Sequence, residues 1–292
     1  MPAFRPSLSV RMHRVVMAML ILGIPLFVNG MGEDEVQRAA LKVCADPYSL
    51  PSSNKEQQGY ENKIAQLFAS DLGIPLRYEW FPQRIGFIRN TLKNNNTLDG
   101  SYKCDLVMGV PENFELAATT RPYYRSTWAI VYVKGRGLDE IHSPQDLINL
   151  PPEKKGKLRI GVFDQSPAAR WLYEHDLMRY ATPYPILSGN ARAYPGEIIE
   201  KDLVSDKINL TFVWGPIAGY FAKQIKAPTV TVIPMHSEGG IKFGYGIAMA
   251  VRFGEKAWKE RINQLIDKHR EDIHAILTDY GVPLIDECKY KC

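Results

Sequence analysis

The sequence carries no Gly-x-Gly-x-x-Gly after a strand, no phosphate loop, no His-Glu-x-x-His and no Gly-x-Ser-x-Gly. The motif-based cases for dinucleotide, phosphoryl, metalloprotease and serine-hydrolase chemistry therefore fall away. Cysteines are few, with no Cys-x-x-Cys pair and no histidine beside any of them, and the six histidines show no ligand spacing. No metal site and no cofactor is expected. Surplus charge is also missing. The formal charge is +4, and Arg5, Arg11 and Arg14 supply three of those positive charges within an acid-free stretch of residues 1–30. The remainder is near neutral, which gives no case for a nucleic-acid partner. Beyond residue 30 there is no long apolar run, no repeat and no low-complexity segment.

What is present begins with that basic start. Arg11 and Arg14 precede an apolar run from Val15 to Val28, then Gly30 and the acidic Gly32-Glu33-Asp34-Glu35. The run is shorter than the ~20 residues a span needs and has the form of a secretory signal. Cleavage near Gly30 and an exported, soluble mature chain are expected, without stable membrane insertion. Export makes the four cysteines a disulfide set. Four cysteines allow three connectivities. Cys44–Cys104 with Cys288–Cys292 is the favoured one, because each pair closes within one region.

Along the chain, Leu41–Asp46 reads as a short strand ending in the turn signal Asp46-Pro47, Tyr60–Leu72 as a helix stopped by Gly73, and Leu76–Phe81 as a strand. Gly86–Leu92 reads as a short helix, and Cys104–Val110 as a strand. This order implies a parallel sheet with helices on its faces. Thr127–Val133 alternates as a half-buried strand. The pattern then restarts. Asp146–Leu150 is a helical turn and Leu158–Phe163 a strand. A helix is started by Ser166-Pro167, followed by a strand at Tyr184–Leu187 and a helix at Gly196–Val204. Ile208–Trp214, Val230–Met235 and Tyr245–Val251 read as strands, Pro216–Ile225 as a helix. A single last helix over Glu255–Tyr280 carries Trp258, Ile262, Leu265, Ile266, Ile273, Ile276 and Leu277 on one face. His269 lies on its buried side and reads as a satisfied core or edge histidine.

Met108–Val133, with its Arg121-Pro122-Tyr123-Tyr124 corner, resembles the hinge entry of amino-acid-type periplasmic solute-binding proteins. Gly59-Tyr60-Glu61-Asn62 resembles their "GFD" turn, and Cys104–Gly109 their third strand. The resemblance covers about Leu41 to Pro283. It implies an α/β, two-lobed, type II binding-protein fold with two parallel-rich sheets joined by two hinge strands. Residues 31–134 and 246–292 would form lobe I and 135–245 lobe II.

The amino-acid chemistry of those proteins does not carry over. Their carboxylate-gripping arginine falls at Asn113, their amine-binding acid at Gly215, and an aromatic cover near Ser52. Their amide cradle falls at Gln165-Ser166-Pro167, where proline has no N–H to give. Arg84, Arg89, Arg121 and Arg125 offer an alternative anion site or a solvated surface.

Val43-Cys44-Ala45-Asp46-Pro47, Gln83-Arg84-x-Gly86-Phe87, Thr120-Arg121-Pro122-Tyr123-Tyr124-Arg125-Ser126 and Trp214-Gly215-Pro216-x-Ala218-Gly219-Tyr220 resemble a narrower family. These are the J proteins of methanol-dehydrogenase operons. That resemblance implies a non-enzymatic periplasmic accessory to a quinoprotein methanol dehydrogenase, with its large subunit as partner. The residues expected at the cleft are Asp46, Arg84, Asn113, Arg121, Tyr124, Ser166, Trp214 and Gly215. Two other readings stand beside it: an importer's receptor for a small ligand other than an amino acid, and a dehydratase-like enzyme on the same fold.

Overall fold

In a computed structural model, residues 38–95, 98–186, 190 and 192–285 are described. The expected leader and the Cys288–Cys292 pair lie outside them. The chain opens with β1 (Leu41–Ala45), a small hairpin of β2 (Tyr48–Ser49) and β3 (Ser53–Asn54), and α1 (Tyr60–Leu72). Then follow β4 (Leu76–Trp80), one turn of α2 (Phe87–Asn90), β5 (Leu106–Pro111), β6 (Ala118–Thr119) and the long β7 (Tyr124–Val133). The middle holds α3 (Pro144–Ile148), α4 (Pro152–Lys155), β8 (Ile160–Phe163), α5 (Pro167–Glu174), β9 (Ala181–Tyr184) and a π-helix at Ile198–Leu203. It continues through β10 (Leu210–Trp214), α6 (Gly215–Gln224) and β11 (Val230–Pro234). The chain closes with β12 (Gly244–Val251), α7 (Lys256–Lys268) and α8 (Arg270–Asp279).

The strands join in the order β4-β1-β5-β12-β7-β10-β8-β9. Pairing is parallel at both ends, β4-β1-β5 and β10-β8-β9, and antiparallel where β12 and β7 run through the middle. β7 is shared along its length. Its first residues pair with β12, with Tyr124 opposite Ile247 and Thr127 opposite Gly244. Its later residues lie between β10 and β11. One core gathers β1, β5 and β12 with α1, α7 and α8, around Ile64, Phe68, Met249 and Ile262. Another gathers the second half of β7 with β8, β10 and α5, around Ile130, Trp171 and Phe212.

α1 shows how local sequence positions the site. Gly59 caps it, and a Cβ there would lie 2.0 Å from the Ser52 carbonyl oxygen, so only glycine allows this approach. The Asn62 side chain accepts from the Gly59 and Asn54 amides at 3.0 and 3.2 Å. Gly73 ends the helix with φ +67°, satisfying the last carbonyls in a left-handed cap. Cys44 and Cys104 form a disulfide between the end of β1 and the approach to β5.

Several elements differ from the sequence reading. The expected single last helix is two, because His269 leaves helical geometry (φ −104°, ψ 23°) between α7 and α8. Its ring is tied there to Asp272 Oδ2 at 2.9 Å and Asp71 Oδ1 at 3.3 Å. The 196–204 helix is a π-helix over Ile198–Leu203. The strand expected at Tyr184–Leu187 runs earlier, Ala181–Tyr184, in register with β8.

Candidate functional site

Two adjoining cavities share Ser49, Gln83 and Pro195. The larger, ≈ 330 Å³, has Asp46 and Arg84 on one side and Tyr184, Lys201 and Asp202 on the other. Asp46 is structurally committed. Its carboxylate accepts from the Tyr48 amide at 2.8 Å and the Gln83 amide at 2.6 Å, tying the end of β1 to the Gln-Arg loop. Arg84 donates to the Asn190 carbonyl across the cavity. Asp202 accepts from the Tyr184 hydroxyl at 2.6 Å and from Lys207 at 3.1 Å. Burial pushes the Asp202 carboxyl up, but these donors outweigh it and hold it below the ordinary carboxylate range.

The smaller cavity, ≈ 190 Å³, lies under Leu50 and Pro51 and is walled by Tyr60, Tyr124, Trp214 and Ile247, with Glu61 and Gly109 in its lining. Its aromatics are held in place by one another. Ser52 Oγ, Tyr60 Oη and Tyr124 Oη form a chain with 3.0 Å steps. The Tyr60 and Tyr124 rings meet edge to face at 6.0 Å, and Tyr123 meets Tyr124 at 4.9 Å. Tyr123 donates its hydroxyl to Glu61 Oε1 at 3.3 Å. Glu61 also lies against Gly109, where φ is +72° and a Cβ would stand 2.4 Å from Oε1. Burial pushes the Glu61 carboxyl up to about 7, against a smaller opposing pull from the Tyr123 hydroxyl. Among the described residues Glu61 forms no ion pair.

Of the residues expected at the cleft, Asp46, Arg84, Tyr124 and Trp214 line one of these cavities. The other four do not. Asn113 is exposed in a turn with φ +61°. Arg121 lies over α7, paired with Asp267 at 2.8 Å and Glu260 at 3.7 Å. Ser166 is turned back to cap α5, its Oγ accepting from the Ala169 amide at 3.2 Å. Gly215 is pressed on β7, where a Cβ would come within 2.2 Å of the Thr127 carbonyl oxygen. Arg125 is likewise engaged, forked onto Glu112 at 3.0 and 2.9 Å. Glu61 was not among the expected site residues. Its only sequence signal is the Gly59-Tyr60-Glu61-Asn62 turn, read there as a mark of the fold.

Comparison with known proteins gives consistent relatives. The solved periplasmic binding protein XoxJ of Methylobacterium extorquens AM1 is 33% identical over 85% of this chain and 100% of its own, with a TM-score of 0.66. The solved MxaJ of Methlophaga aminisulfidivorans MPT is 26% identical over 84% of this chain and 100% of its own, with a TM-score of 0.69. The protein MoxJ of Paracoccus denitrificans is 26% identical over 84% of this chain and 89% of its own length. No family model matches the chain.

Proposed function

We propose a role from one premise: this chain belongs to the J-protein family of periplasmic binding proteins that includes XoxJ and MxaJ. It acts in the periplasm, after loss of residues 1–30, as a non-enzymatic accessory of a methanol dehydrogenase. It binds the large subunit and assists its assembly or activation. Lobe I comprises residues 31–134 and 246–292, and lobe II residues 135–245.

The observation that carries the docking part is the Gln83–Phe87 loop at the rim of the larger cavity. Ile85 at its tip is 86% exposed, and Leu116 nearby is 53% exposed. Arg84, Arg89 and Lys93 line the same depression as these two apolar side chains. Exposed aliphatic side chains framed by arginine suit a protein interface whose partner offers an acidic rim. An accessory must release its client, so a transient, micromolar contact is expected. Titration against apo and holo dehydrogenase checks this. The double variant Arg84→Ala/Ile85→Asp should weaken binding at least tenfold. Arg121→Ala, whose guanidinium is spent on α7, should bind as the parent does. Unchanged binding by the double variant places the contact elsewhere.

The second expected result concerns free amino acids. The matched ligand positions offer Asn113 and Gly215 in place of the charged pair that a zwitterion needs on leaving water. A tight ligand at a hundredfold its Kd would contribute ~2.7 kcal/mol. Amino acids at millimolar concentration should instead leave the melting temperature unmoved. A clear upward shift with any of them would favour a receptor of the amino-acid type.

A further inference from the structure

Glu61 is a cost that the fold does not recover. It is a half-buried carboxyl in the first turn of α1, with one 3.3 Å hydrogen bond from Tyr123 and no ion pair among the described residues. Elsewhere the chain pairs its enclosed charges. Arg252 is matched to Asp105 and Glu255, and Arg125 to Glu112. A glutamine or leucine at 61 would avoid the desolvation penalty. Around Glu61 the cavity supplies what an acid alone lacks for recognising a cation. Tyr60, Tyr124 and Trp214 present aromatic surface, and Ile247 closes an apolar side. Aromatic faces and one carboxylate, shielded from bulk water, are the recognition chemistry of ammonium groups. The volume of ≈ 190 Å³ equals that of roughly six liquid waters at ~30 Å³ each, which suits a small ligand.

We propose that the smaller cavity is a binding site for a small protonated alkylamine, with Glu61 as its counter-ion and Tyr60, Tyr124 and Trp214 as its walls. Such a ligand needs no carboxylate grip, so this site and the lack of amino-acid chemistry are compatible. The site touches the rim loop at Gln83, but neither Arg84 nor Ile85 lines it, so docking and amine binding can succeed or fail separately.

The pH dependence has a definite sign. The groups facing Glu61 are Tyr60 on α1, Tyr78 on β4, and Tyr123 and Tyr124 at the start of β7. Burial raises all four, Tyr78 to about 12, so each stays neutral below pH 9. Glu61 is then the group among these that titrates near neutrality, from an ordinary value of 4.5 up to about 7. Between those values the folded chain holds a proton the unfolded chain has lost. Without ligand, the Glu61 contribution to stability therefore falls as pH rises through that window. Glu61→Gln removes this slope and should be at least as stable as the parent at pH 8, so the variant will fold.

The test is calorimetric titration of the mature chain with n-butylammonium chloride at pH 8 and pH 5.5. 1-Butanol is the uncharged match, and glycine supplies an amine that carries its own carboxylate. Expected are binding of n-butylammonium at pH 8, at least tenfold weaker binding at pH 5.5 and in Glu61→Gln, and no heat from 1-butanol or glycine. The proposal is overturned by absence of amine binding at pH 8. It is equally overturned by binding that is indifferent to pH and to Glu61→Gln, or by equal binding of 1-butanol. A lysine-bearing peptide that binds while free butylammonium does not would assign the pocket to a protein side chain and also overturn it.

Discussion

Arg252→Ala should lower the unfolding free energy by about 3–5 kcal/mol, the range for removing one partner of a buried ion pair. Arg252 follows β12 directly and is 7% exposed. Its guanidinium reaches Asp105 Oδ1 at 2.9 Å, Glu255 Oε1 at 2.7 Å and the Leu92 carbonyl at 3.3 Å, and it also donates to the Cys104 carbonyl. It lies 4.0 Å over the Tyr102 ring. Arg38 completes the group, 3.2 Å from Glu255, 3.6 Å from Asp105 and 4.0 Å over Trp258. One side chain thus fastens the last strand to the loop that carries the disulfide. Truncation leaves Asp105 enclosed with Arg38 as its remaining cation and strips two carbonyls of a donor. Urea unfolding at pH 7 measures the loss. Arg252→Lys should lose less, because it keeps the charge while giving up the planar fork. Loss of under 1 kcal/mol in the alanine variant would mean the group is solvated in solution.

The second large effect reverses an ordinary rule. Gly219 is inside α6, where alanine should stabilise by about 1 kcal/mol on helix propensity alone. A Cβ at 219 would lie 1.7 Å from the Gly281 carbonyl oxygen, and Gly281 itself has φ +74°. The segment after α8 crosses here from one half of the sheet to the other. Ser126 Oγ donates to the Pro283 carbonyl at 2.7 Å, and the Ile285 amide donates to the Arg125 carbonyl at 3.1 Å. Tyr220 stacks on Tyr280 at 5.9 Å. Gly219→Ala must push this crossing segment off α6. A loss of about 2–3 kcal/mol is expected, as for overpacking in a closed core. Gly219→Val should prevent stable folding. A measured gain in the alanine variant would show that the crossing segment yields freely.

The sequence reading recovered most of the sheet because its central strands are enclosed on both faces. Val43–Ala45, Leu106–Met108 and Leu210–Val213 read as unbroken buried runs for that reason. It failed at the edge. β9 is Ala-Thr-Pro-Tyr with its middle residues exposed, so no apolar pattern marks it. α4, directly after Pro151, has no buried residue and gave no stripe to find. The last helix kept its apolar stripe across the break at His269, so periodicity alone did not mark it. For the site, motif position along the chain picked out Asp46, Tyr124 and Trp214, which stand at or beside strand ends, and Arg84 in the loop after β4, and all four line one of the cavities. It could not give side-chain direction. Arg121 turns to α7 and Ser166 turns back on its own helix. Glu61 was hidden because its enclosure is made by Gly109 and Tyr123, far away in sequence.

The Trp214-Gly215-Pro216 motif also divides into roles. Trp214 and Pro216 line the smaller cavity, whereas Gly215 exists to let α6 start against Thr127 and Pro283. This three-residue run therefore combines one wall of a pocket with one joint of the fold. Substitutions at 215 should be read as stability effects before they are read as ligand effects.

The proposed accessory role is tested most directly by deleting the gene in its host and measuring periplasmic methanol-dehydrogenase activity together with the cofactor content of the purified enzyme. The account predicts that activity falls and that the large subunit accumulates without its full complement of cofactor, both restored by the parent gene and not by Arg84→Ala/Ile85→Asp. Unchanged activity and cofactor content in the deletion strain would contradict it.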